Sequence, residues 1–204
     1  EDGRVMYETE FVDGTGVVKD YYSNGQLRYE INYKYEKRDG LSRWWHEKGK
    51  LKSEQSYKEG NPDGLHKSWH KNGKLKSEIN YKDEKIGLER YWYKNGQLWE
   101  ETNYKDGKHD GLRRSWYENG KLESETNYKD GKRDGFSRWW HKNGQLWQEI
   151  NYKGGMKDGL WRRWHEDGRV MYETEFVDGT GVVKDYYSNG QLRYEINYKY
   201  EKRD

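Results

Sequence analysis

Cysteine and alanine are both absent from these 204 residues, and proline occurs once, at Pro62. Without cysteine there is no disulfide framework and no thiolate metal site, while the compartment stays undecided. No stretch carries a helical period, and the best helix former is missing altogether. Apolar residues make up 30% of the chain against 37% charged. No run approaches the ~18 apolar residues of a membrane-spanning helix. So little apolar surface makes a compact globule hard to stabilise. The 39 basic and 37 acidic residues nearly cancel, with no unmatched basic stripe, which argues against nucleic acid as the main partner. The chain opens in mid-unit without methionine, so any export signal lies outside it. Heavy use of Lys, Asn, Tyr and Glu suggests an AT-rich bacterial gene, with cytoplasm and cell surface both open.

What the chain does have is glycine in a rhythm. Units start near Gly3, Gly25, Gly49, Gly73, Gly96, Gly120, Gly144, Gly168 and Gly190, spaced 22 to 24 residues apart. A fixed period of this length marks a repeat array. Two residues after each glycine stands Leu or Val (Leu27, Leu51, Leu75, Leu98, Leu122 and Leu146 among them). Five residues after it stands Glu, and eight after it an aromatic ring: Tyr33, Tyr57, Tyr81, Tyr104, Tyr128, Tyr152 and Tyr198, with Phe11 and Phe176 in the other two units. A second glycine follows, and five residues past it come Trp45, Trp69, Trp92, Trp116, Trp140 and Trp164.

Each unit reads as two strands. Gln145 to Tyr152 alternates with period two, and Phe136 to His141 supplies the second strand. Asn-Gly between them is a hairpin signal, because both residues tolerate positive φ. The connection Lys129 to Gly135 is glycine-rich and longer. The register is open. A two-residue turn on Asn143-Gly144 sets Arg138 opposite Glu149. A three-residue turn with a glycine bulge shifts the pairing and gathers Phe136, Trp140, Leu146, Ile150 and Tyr152 on one face. The two are alternatives, since a one-residue slip exchanges the faces; Lys48-Gly49 favours the bulge. The expected fold is all-β: an elongated array of antiparallel hairpins in a continuous, solenoid-like sheet, one array over residues 1–204. Each unit shelters its rings against the next and needs no central core. Strands about 4.8 Å apart give roughly 10 Å per unit and a rod on the order of 80 Å.

Trp116, Asn119, Gly120, Leu122, Glu125, Tyr128, Asp130, Gly131, Asp134 and Gly135 carry a likeness that extends over essentially the whole chain. The unit resembles the MORN repeat family, and more closely the variant found in bacterial YwqK-type proteins described as antitoxins. Tyr21 and Tyr186 depart from the Trp of the motif. The resemblance implies a hairpin array used for protein contacts or scaffolding, for membrane association in eukaryotic members, and for toxin neutralisation in the bacterial type.

Nothing in the sequence asks for a cofactor, a metal or a catalytic residue. His46, His70, His141 and His165 share one unit position with Tyr22, Tyr93 and Tyr117, so the position reads as a structural slot. Asp106 to Gly111 and Asp130 to Gly135 hold too few carboxylates for calcium and read as turns. The Leu, Tyr and Trp columns named above read as the structural core. Aromatics found in only some units are different: Trp44, Tyr91, Trp99, Trp139, Trp147 and Trp161. In the bulged register they project from the face opposite the core, where exposed rings mark contact surfaces. Packing between neighbouring units is the plainer reading of the same residues.

Residues Glu1 to Asp39 recur letter for letter as Glu166 to Asp204. Three accounts fit: a recent duplication, an engineered chain, or a window on a continuous or ring-like array. Each leaves open sheet ends that favour end-to-end self-association. The expected function is a non-catalytic protein-interaction scaffold, with toxin neutralisation as its antitoxin-like form. Glycan or cell-wall binding and a self-assembling fibre are the alternatives.

Overall fold

The computed structural model describes residues 7–187, 189–200 and 202–203. It contains two compact units, Glu1–Gln97 and Leu98–Asp204. The first holds β1 (Tyr7–Val12), β2 (Thr15–Tyr21), β3 (Leu27–Lys34), β4 (Lys37–Arg38), β5 (Gly40–Trp45), β6 (Leu51–Lys58), β7 (Asn61–Trp69), β8 (Leu75–Lys82) and β9 (Glu84–Trp92). The second holds β10 (Leu98–Lys105), β11 (Lys108–Trp116), β12 (Leu122–Lys129), β13 (Lys132–Trp140), β14 (Leu146–Lys153), β15 (Met156–Trp164), β16 (Val170–Phe176), β17 (Gly181–Tyr186), β18 (Leu192–Lys199) and β19 (Lys202–Arg203). In each unit the strands pair antiparallel in chain order, with β4 a short addition to β3 and β17–β18–β19 a separate small sheet. The protein is an all-β array of hairpin repeats, and no described residue is helical.

The two turns of a repeat exchange the roles expected of them. Asp130-Gly131 closes a two-residue turn between Lys129 and Lys132, both turn residues at positive φ (49° and 81°), so the supposed long loop is mostly strand. The Asn-Gly end is wider. His141 N bonds Gln145 O, Gly144 N bonds His141 O, and only Gly144 of the three loop residues has positive φ. This is the three-residue turn.

The register expected of the two-residue turn nevertheless holds further along, because Arg138 lies opposite Glu149. A second irregularity reconciles the two. Trp140 pairs with Leu146 and Trp139 with Gln148, which leaves Trp147 as an extra residue on β14. The alternatives treated as exclusive are therefore both partly present. The result is a ladder of alternating charge along one face, Glu101, Arg114, Glu125, Arg138, Glu149, Arg162 and Glu173. Arg114 Nε lies 2.6 Å from Glu125. Each partly exposed pair contributes about 0.2–1 kcal/mol.

Facing residues share a side of the sheet, so the register also sorts the rings. Ile150, Tyr152, Ser137 and Trp139 lie on one face, and Phe136, Trp140 and Leu146 lie with Arg138 and Glu149 on the other. The five residues expected on one face are split. The most buried row runs along the strand centres of the first face in the second unit, at Thr102, Thr126, Ser137 and Ile150, and the first unit has its own row at Val18, Ile31, Ser42, Gln55 and Ile79, each at most 8% exposed. The Leu and Trp columns are half-buried, as are the tyrosines apart from Tyr152. The recurring tyrosine of this face stands opposite a glycine of the neighbouring strand, as Tyr128 does opposite Gly111 and Tyr152 opposite Gly135. Arg133 lies 5.2 Å from the Tyr152 ring as a cation on its face, and the His109 ring stands edge-on between Tyr104 and Tyr128 at 4.7 and 5.0 Å.

The two identical stretches fold differently. In the first copy β1 pairs with β2 over six residues, from Tyr7↔Asp20 to Val12↔Thr15. In the second, the only pair joining the ends of β16 and β17 among the described residues is Val177↔Thr180. The β17–β18 hairpin instead packs on the sheet, burying Tyr172, Phe176 and Val183 against Trp161, Met171 and Tyr198.

Candidate binding face

Hydrogen bonds from one hairpin to the next come from recurring positions. At the wide turns, Tyr22 Oη donates to Trp45 O (2.8 Å) and Tyr117 Oη to Trp140 O (2.7 Å). His70 Nε2 reaches Trp92 O at 2.8 Å in the same way. A carbonyl only accepts, so this nitrogen carries the proton. The Tyr/His position is thus a clip between repeats. Asn72 Nδ2 donates to Lys94 O and Lys121 Nζ to Asn143 O, both at 2.8 Å. At the tight turns, Asp110 accepts from Asp130 N (3.3 Å) and Asp134 from Gly154 N (3.0 Å). The carboxylates considered for calcium cap the backbone of the following turn, and no cluster of metal-binding side chains occurs among the described residues.

The six variable aromatics belong to three columns. Trp44, Tyr91 and Trp139 stand four residues after a second glycine, a position held elsewhere by Ser68, Ser115 and Arg163. Trp99 and Trp147 stand three residues after a turn glycine, where Lys52, Lys76 and Glu123 occur in other units. Trp161 belongs to the column of Ser42 and Ser137.

Trp44 faces Ser53, and Trp139 faces Ser124 and Gln148, on the side that carries the buried row. That reverses the expectation that these rings project away from the core. The serines beside them are short, and the large rings are only half covered. Tyr91 donates to Glu89 at 2.6 Å, and Trp99 is 44% exposed. Trp139 and Trp147 bring their ring centroids to 6.4 Å.

Trp161 is a different case. It packs 4.9 Å from Tyr172 and 5.8 Å from Phe176, with Lys157 Nζ 4.3 Å from its ring. This ring builds the interior under the folded-over hairpin and is withdrawn from the contact surface.

The sequence reading passed over the column two residues after a second glycine, in which Val18, Ser42, Glu89 and Ser137 are buried and His66, Arg113 and Trp161 half-buried. Its signal was that fixed spacing, masked by chemical variety. Glu89 is 4% exposed and held by Lys85 Nζ at 2.9 Å. Arg113 takes the Glu100 carboxylate at 2.5 Å. Burial lowers the pKa of His66 below its ordinary value.

The period and the hairpin geometry meet in a family match. Eight segments, 15–35, 38–59, 62–83, 85–106, 110–130, 133–153, 157–178 and 180–200, match the MORN repeat variant. The chain belongs to this MORN repeat family. MORN repeats are in general protein- and membrane-binding motifs, and the family is one of non-enzymatic repeats. Among curated proteins no match is found. Among the described residues no helix is long and apolar enough to cross a membrane.

Proposed function

We propose that this MORN-repeat chain is a non-catalytic protein-binding scaffold. Its contact surfaces are the sheet faces carrying Trp44 and Tyr91 in the first unit and Trp99, Trp139 and Trp147 in the second. The observation that carries the reading is a division of labour. Recurring Tyr/His, Asn, Lys and Asp positions supply the bonds between hairpins. The five aromatics stand outside that recurring set, at positions where other units have Ser, Lys or Glu. Half-covered rings on a rigid sheet provide large contact area at small entropic cost. The sequence resemblance to the bacterial antitoxin variant favours a toxin as the partner, neutralised by occlusion. β1 ends the strand order of the first unit, and such an edge supports end-to-end association as a second property.

Affinity capture with the purified chain from extracts of its source organism tests the reading. The expected result is one protein retained in stoichiometric amount and lost with Trp139→Ala and Trp147→Ala. Retention of a glycan instead, lost with the same substitutions, overturns it in favour of carbohydrate binding.

A further inference from the structure

The geometry points to a carboxylate seat formed by Trp139, Trp147 and Arg163, which takes an acidic residue of a protein segment flanked by apolar side chains. The inference rests on the protein-binding reading above and gives its partner a chemistry. Trp139, Gln148 and Arg163 lie side by side on three successive strands, because Trp139 pairs with Gln148 and Gln148 with Arg163. Trp147, the extra residue of the bulge, sets its ring 6.4 Å from Trp139 at an interplanar angle of 49°. The Arg163 guanidinium lies 4.8 Å from the Trp147 centroid. A guanidinium laid on an indole keeps its N–H edge available to a planar, two-oxygen acceptor.

That acceptor is missing from the chain itself. Among the described residues no carboxylate pairs with Arg163: Glu149 is taken by Arg138, Glu173 by Arg162 and Asp185 by Arg193. Arg113, on the same face of this unit, shows the satisfied arrangement, with Glu100 at 2.5 Å. Arg163 is thus a cation on an aromatic wall whose counter-charge has to come from outside.

A second observation marks the same spot. His141 Nε2 is buried without a hydrogen-bond partner, where the equivalent Tyr117 and His70 clip the next strand. Its ring lies 6.1 Å from Trp147 instead. This repeat has given up a framework bond where the aromatic pair sits. Two indole walls and one unpaired guanidinium suit a Glu or Asp with an aromatic or aliphatic neighbour.

The test uses the full chain and two synthetic peptides, acetyl-Gly-Phe-Glu-Phe-Gly-amide and its Gln counterpart, read by the indole N–H resonances of Trp139 and Trp147. The Glu peptide is expected to shift both resonances saturably and to bind about tenfold more tightly than the Gln peptide. Arg163→Gln should abolish the difference. Arg163→Glu should transfer the preference to a Lys peptide, which guards against loss of binding through misfolding. Equal response to Glu and Gln peptides, no saturable response to the Glu peptide, or a response to tetragalacturonate alone overturns the seat. A stoichiometric protein captured by the whole chain despite such a result leaves the scaffold reading standing.

Discussion

Phe11 and Phe176 are the same residue of an identical stretch, yet Phe11 is 44% exposed and Phe176 is 1% exposed. The difference is whether the hairpin that follows continues the sheet or folds onto it. Phe176 has Trp161 at 5.8 Å and Tyr198 at 5.9 Å, whereas Phe11 meets Tyr33 at 5.9 Å. Truncation should separate them. Phe176→Ala is expected to cost about 3–5 kcal/mol and Phe11→Ala no more than about 1 kcal/mol. Paired urea titrations check this, and equal losses would show that both copies adopt one arrangement.

The histidine slot gives a second matched pair. His70→Tyr retains a donor for Trp92 O, as Tyr117 does for Trp140 O, and should leave the unfolding midpoint nearly unchanged. His70→Leu strands that carbonyl and should cost about 0.5–1.5 kcal/mol. Thermal melts of the two variants give the answer directly.

The tight turn at Tyr35-Glu36 holds two non-glycine residues at positive φ, 49° and 61°, where most other repeats place Asp-Gly, Glu-Gly or Gly-Gly. Left-handed backbone costs roughly 1–2 kcal/mol for such residues. Replacing the pair with Asn-Gly should therefore raise stability by about 1 kcal/mol or more. Differential scanning calorimetry reads the gain; a loss would place this turn outside the type I′ geometry.

His66 couples stability to pH. Burial favours its neutral form in the folded chain, while the unfolded chain titrates near the ordinary value of 6.5. The neutral-state contribution is complete above that value. As pH falls through it, the unfolded chain takes up a proton that the folded chain resists, and stability drops by at most about 1.4 kcal/mol per pH unit. His66→Gln should remove this part of the slope, measured as the difference between urea midpoints of the two proteins from neutral to mildly acidic pH.

The hairpin array was legible because its signals are local: a glycine every unit, a period of two, and turn dipeptides. The register was not. It depends on a bulge at Trp147 that compensates the wide turn, and no residue type there is constant from unit to unit. The faces followed the register into error, so Trp139 was placed away from the core it borders. Ser42, Glu89 and Ser137 share one buried column, but their chemical variety carries no hydrophobic signal that marks it. The split between β16 and β17 had no local signal at all, since the same letters form a continuous ladder in β1 and β2.

In the proposed division of labour, recurring positions hold the array and the variable aromatics hold the partner. One chain tests it: Trp44→Ser, Tyr91→Ser and Trp139→Ser, with Trp99→Lys and Trp147→Lys, each a residue the array already uses at that column. The measurement is its unfolding midpoint alongside its capture of the protein partner. The expected result is a cooperative transition close to that of the parent, with capture lost. Unfolding of the array, or undiminished capture by a folded variant, would contradict it.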